Sequence, residues 1–131
     1  MTFKKALSII KKSLAISACF LLNHSLAARD FYWINGSGNW SETQHWSFVS
    51  GGSSCGLIPG EDDQIFFDKN SSDLLFPIIF LDQNSRINSF HNSSDKGLVM
   101  VSSNFSLTIT NEIDVKQSSS FFFSDNTESL H

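Results

Sequence analysis

The sequence predicts an all-β fold: a short right-handed parallel β-solenoid with a Trp-rich N-terminal cap, preceded by a signal-peptide helix. Three observations predict it. After residue 28 alanine disappears, leucine becomes sparse, and Ser, Asn, Asp, Gly and Phe dominate, so helix signals are nearly absent. Short β-branched and aromatic pieces recur instead, separated by polar turns. All three tryptophans fall between Trp33 and Trp46, at the start of this β-rich region.

Residues 1–28 read as a signal peptide. Lys4, Lys5, Lys11 and Lys12 form a basic n-region without an acid, Ser13 to Leu22 is a short apolar run, and Ser25-Leu-Ala27-Ala28 offers the small residues of a cleavage site. The run is shorter than the roughly 20 apolar residues that span a bilayer. A second export reading competes: Ile16-Ser-Ala-Cys19 fits a lipobox, which would make Cys19 a lipid-anchored N-terminus.

Residues 29–68 read as the capping segment and first strand. It contains Tyr32, Trp33, Trp40 and Trp46, with Gly36-Ser-Gly38 between the first two tryptophans. Pro59, Gly60, Asp62 and Asp63 then form an acidic turn leading into Ile65-Phe-Phe-Asp68. A solenoid's terminal coil exposes strand edges and an apolar cross-section, and something must cover them. Each indole buries a large apolar area, and glycine lets the backbone turn sharply beneath the rings.

Residues 69–131 read as short β-solenoid coils. The predicted strands are Ile78–Leu81, Ile87–Phe90, Leu98–Val101, Leu107–Ile109, Ile113–Val115 and Phe121–Phe123, divided by Asn/Ser/Asp/Gly turns. Leu107, Ile109, Ile113 and Val115 are expected to face inward, across a turn at Asn111. The Asn-Gly and Asp-Gly hairpin signals of an antiparallel sandwich are missing from this half, which favours parallel coils.

Charge and composition narrow the function. Removing the leader leaves five basic against thirteen acidic residues, a net charge of −8. Such a chain lacks the basic footprint of nucleic-acid binding and has no attraction to anionic lipid. The mature chain contains no membrane span, and Cys55 is its single cysteine, so an internal disulfide is impossible. His45 and His91 show no zinc-ligand spacing and are expected to be solvent-facing or capping residues. Glu61, Asp62, Asp63 and Asp68 could offer oxygen ligands to calcium, but no EF-hand or Gly-Gly-x-Gly-x-Asp repeat accompanies them. No Gly-x-Ser-x-Gly elbow or paired catalytic acids stand out, and no cofactor is expected. The Asn-x-Ser sequons at Asn35, Asn39, Asn70, Asn92 and Asn104 follow from a Ser/Asn-rich composition.

With those residues in view, the segment resembles the opening of large exported proteins of Bacteroidetes-type bacteria. The matching pieces are Tyr32-Trp33, Asn35-Gly-Ser-Gly-Asn-Trp-Ser41, His45-Trp46, Ser50-Gly-Gly-Ser53, Cys55, Pro59, Asp62-Asp63 and Ile65-Phe-Phe-Asp68. It is also similar to the start of autotransporter-like passenger solenoids. The resemblance implies a secreted or surface-exposed, adhesin-like β-solenoid protein, directed at host or bacterial surface glycans or proteins. Such proteins often carry a second cysteine near the position of Ile87 to Phe90, absent here, and run far longer, so the chain reads as a truncated member or fragment.

The leading expectation is therefore a non-catalytic structural and interaction module. It would be secreted or held at the outer-membrane surface, or in the periplasm if the outer-membrane export signal is missing. One alternative is a carbohydrate-binding module stacking sugars on exposed Trp33, Trp40, Trp46 or Tyr32. The other is a fragment of a polysaccharide lyase or hydrolase, a reading weakened by the scarcity of basic residues.

Overall fold

The computed structural model describes residues 27–116 and the backbone of 121–125. The predicted leader, Cys19 included, lies outside the described residues except for Ala27 and Ala28, as does the chain beyond 125. The described residues are all-β: β1 Asp30–Trp33, β2 Gly38–Asn39, β3 Trp46–Ser47, β4 Gln64–Phe67, β5 Ile78–Leu81, β6 Ser85–Asn92, β7 Leu98–Ser102, β8 Leu107–Val115 and β9 Phe121–Asp125. One 3-10 turn, Thr43–His45, precedes β3. Among the described residues no helix is long and apolar enough to cross a membrane.

Two sheets form, ordered β3-β1-β4-β6-β8 and β2-β5-β7-β9. From β4 onward the chain visits them alternately, and each strand pairs in parallel with the next strand of its own sheet. Parallel neighbours cannot be joined by a tight hairpin. Here each crossover is a strand of the opposite sheet, which explains the missing hairpin signals. The exception is β3, antiparallel to β1.

Parallel registry stacks like residues into columns. Phe31 pairs with Ile65, Ile65 with Phe90 and Phe90 with Ile113. The first three are buried, whereas Ile113, on the edge strand β8, is 64% exposed. The inward position predicted for Ile113 holds in register but not in burial, because among the described residues nothing pairs with β8 on its far side. In the second sheet, Ile79 and Leu81 of β5 and Leu98 and Met100 of β7 fill the same core, as period-two alternation requires.

One expectation needs correction. The turn at Asn111 does not form, because β8 runs unbroken through it. A register shift between Ile87 and Ser89 puts Thr110 and Asn111 opposite the single residue Asn88. This extra residue bends the strand without ending it, and Asn111 Nδ2 donates to Asn88 Oδ1 and Ser89 Oγ across it. The tryptophan segment supplies strands of its own. It contributes β1 between β3 and β4, and β2 at the head of the other sheet. Asn35 and Gly36, with φ of 66° and 75°, carry the chain between β1 and β2 through a left-handed turn that favours these two residue types.

Candidate functional site

Strand alternation decides what each aromatic of the opening segment can do. In β1, Phe31 and Trp33 point into the core and Tyr32 points out. Trp33, Trp40 and Trp46 are each 0% exposed. Trp46 occupies the centre: its ring meets Trp33 and Trp40 edge-to-face at centroid distances of 4.9 Å, and Phe31 at 6.2 Å. Edge-to-face packing sets ring hydrogens against π faces, the favoured geometry for aromatic pairs.

The indole N–H groups are treated unequally. Trp33 Nε1 donates to Gly36 O at 2.6 Å, and Trp46 Nε1 donates to Trp40 O at 2.8 Å. Trp40 Nε1 is buried without an acceptor. Buried polar groups are nearly always paired, so Trp40 sits here for its apolar bulk.

His45 completes the cluster, contrary to the solvent-facing alternative. It is 4% exposed, and its ring stacks on Trp33 at 4.7 Å with planes 4° apart. Nδ1 lies 2.9 Å from Ile34 O, and Nε2 lies 3.2 Å from a Glu42 carboxylate oxygen. Glu42 in turn accepts from the Asn39 backbone and side-chain amides. Gly38 makes room for the ring, since a Cβ there would lie 2.0 Å from His45 Nε2. The Gly-Ser-Gly spacing was visible in the sequence, but this requirement depends on a residue seven positions on.

Tyr32 does not join the tryptophans. On the outer face it stacks on Phe66 at 5.0 Å, and Phe66 stacks on His91 at 4.7 Å. These three residues occupy one column of parallel registry. His91 Nε2 lies 3.3 Å from Gln64 Oε1. His91 is half-buried in this ladder and is not freely solvent-facing.

The turn before β4 is organised around Asp63. Pro59 and Asp63 are buried, while Gly60, Glu61 and Asp62 are exposed. Asp63 accepts from Gly60 N at 2.8 Å and from Arg29 N, Nε and Nη2 at 3.0, 3.3 and 3.3 Å. Its backbone oxygen accepts from Asn88 N, so one residue ties the segment before β1, β4 and β6 together. Asp68 instead organises the following turn, accepting from Ser50 Oγ and Asn70 N. The two carboxylates thus have separate partners, and among the described residues no three His, Cys, Asp or Glu side chains gather as a metal site needs. Cys55 is a half-buried free thiol packed beside the core.

An open cleft of about 450 Å³ lies beside the Asn35-Gly36 turn, lined by Asn35, Ser37, Asn70, Ser71, Ser72 and Asp73 among others. Sequence reading missed it because its two walls are more than thirty residues apart. Its lining is polar: Ser37 Oγ accepts from Ile78 N, and Ser72 Oγ from Leu74 N.

No family model, curated protein or solved structure matches this chain. Its functional reading rests on the geometry and chemistry of its own residues.

Proposed function

We propose that this chain is the capped beginning of an exported, non-catalytic β-solenoid module, an adhesin-like structural and interaction unit. The observation that carries the reading is the fully buried Trp33–Trp40–Trp46 cluster at the β3–β1 end of the stacked parallel strands. β3 runs antiparallel to β1, so the stack does not continue there as another parallel strand. A short antiparallel strand over aromatic bulk is a physical means of closing a stack, blocking the edge to which further strands would add. The alternating parallel strands supply the coils of the solenoid, and the acidic mature chain suits an exposed surface.

The reading is tested by producing the full chain in a Gram-negative host and treating intact cells with a membrane-impermeant biotin reagent. Labelled chain, or chain released with the periplasm, is expected. Product confined to the cytoplasm and still beginning at Met1 overturns the export reading.

One observation favours carbohydrate binding as a second reading: the open cleft rich in hydroxyl and amide groups. The tryptophans supply no stacking platform for it, because none presents a face to solvent. Retention on a glycan array that is abolished by Asp73→Ala supports this second reading, and no retention removes it.

A further inference from the structure

Among the described residues, Arg29 is the first with fixed partners. Ala27 and Ala28 are exposed, whereas the Arg29 backbone nitrogen lies 3.0 Å from Asp63 Oδ1 and the Arg29 carbonyl accepts from Gln64 N at 2.9 Å. Its guanidinium reaches the same carboxylate and lies over the rings of Phe31 and Phe48. The Asp63 side chain is 5% exposed. The sequence places the end of the leader at this point.

We propose that leader removal between Ala28 and Arg29 creates an α-ammonium that docks on the buried Asp63 carboxylate and locks the first strand in place. The proposal rests on the export reading and adds to it a defined processing site with a structural consequence. Hydrolysis of the Ala28–Arg29 peptide bond by a leader peptidase consumes one water. It leaves a carboxylate on Ala28, and the Arg29 amide nitrogen becomes a protonated amine. That nitrogen already points an N–H at Asp63, so cleavage converts a neutral donor into a charged one with no change of partner. A charge-assisted bond is about twice as strong as a neutral one, and the burial of the Asp63 side chain strengthens it further. The two other ammonium hydrogens remain available to solvent on the side where Ala27 and Ala28 lay exposed. Because Asp63 O also holds Asn88 N, the new charge is linked to β6 as well as to β1 and β4.

The test uses the full chain exported by a Gram-negative host. Mass spectrometry reads the N-terminal residue, and reductive methylation at neutral pH compares α-amine labelling in folded and urea-unfolded product, with the exposed Lys69 as internal reference. A chain beginning at Arg29 is expected. Its α-amine should be labelled at least tenfold more slowly when folded, while Lys69 changes little. Asp63→Asn should abolish the protection; if that variant does not fold, the wild-type folded-to-unfolded ratio decides alone. An exported chain beginning at Cys19, Ala28 or elsewhere overturns the inference and leaves export standing. So does a chain beginning at Arg29 whose amine is labelled equally in both states. Product retained inside the cell with Met1 overturns the export reading and this inference together.

Discussion

The imidazole of His45 lies face to face with the indole of Trp33, 4.7 Å away and within 4° of parallel, in a space that only the absence of a side chain at Gly38 leaves open. This relationship joins the 3-10 turn to both sheets, since Trp33 belongs to β1 and Gly38 to β2. It also makes the cluster sensitive to small changes in volume.

Gly38→Ala should therefore destabilise the protein by about 1–3 kcal/mol, the usual range for overpacking. Gly60→Ala is the matched control, because its Cβ would make only an ordinary 3.6 Å contact with Asp63. Urea denaturation of both variants checks this. Equal midpoints would show that His45 moves aside freely.

Trp46→Phe should cost about 1–2 kcal/mol more than Trp40→Phe, on the scale of one buried hydrogen bond. Both changes remove a similar volume, but the first strands Trp40 O without its donor, whereas the second removes an N–H that has no acceptor. Chemical denaturation followed by circular dichroism gives the comparison. The reverse order would contradict the assigned hydrogen bond.

The outer ladder predicts a spectroscopic effect. In Phe66→Leu the ring-current shifts of the His91 and Tyr32 ring protons should collapse toward random-coil values, with a stability loss of about 0.5–1.5 kcal/mol for the lost aromatic stacking. Nuclear magnetic resonance of the two rings reads it directly. Unchanged shifts would mean that the column is not stacked in solution.

The Lys116 ammonium beside Asp95 holds its carboxyl below the ordinary 3.8, first by hydrogen bonding and then by charge attraction. Folding thus favours the ionised form. This contribution is present above the unfolded-state value and is lost as pH falls through the lower folded value. A carboxyl titration should place the Asp95 midpoint below 3.8, and Lys116→Met should raise it. Added salt should also raise it, because the pair is exposed. A midpoint indifferent to Lys116 would refute the pairing.

The sequence by itself determined where strands of the second half lie, and two of them closely. Ile78–Leu81 is β5 to the residue, and Leu98–Val101 lacks only the last residue of β7, because runs of β-branched residues between Asn/Ser/Asp turns leave little alternative to a strand. Missing hairpin turns also indicated parallel pairing correctly. The bulge that keeps β8 continuous was not legible, since an extra residue is defined only against the partner strand, β6. The Trp-rich segment was legible as apolar bulk, while the division of labour within it was not. Trp33 turns inward and Tyr32 outward because β1 pairs with β4 in one register, and a shift of one residue would exchange them. His45, Gly38 and the Arg29–Asp63 junction were decided by tertiary structure alone. Composition fixes which groups must be buried, but a close approach between distant residues exists only once the sheets have stacked.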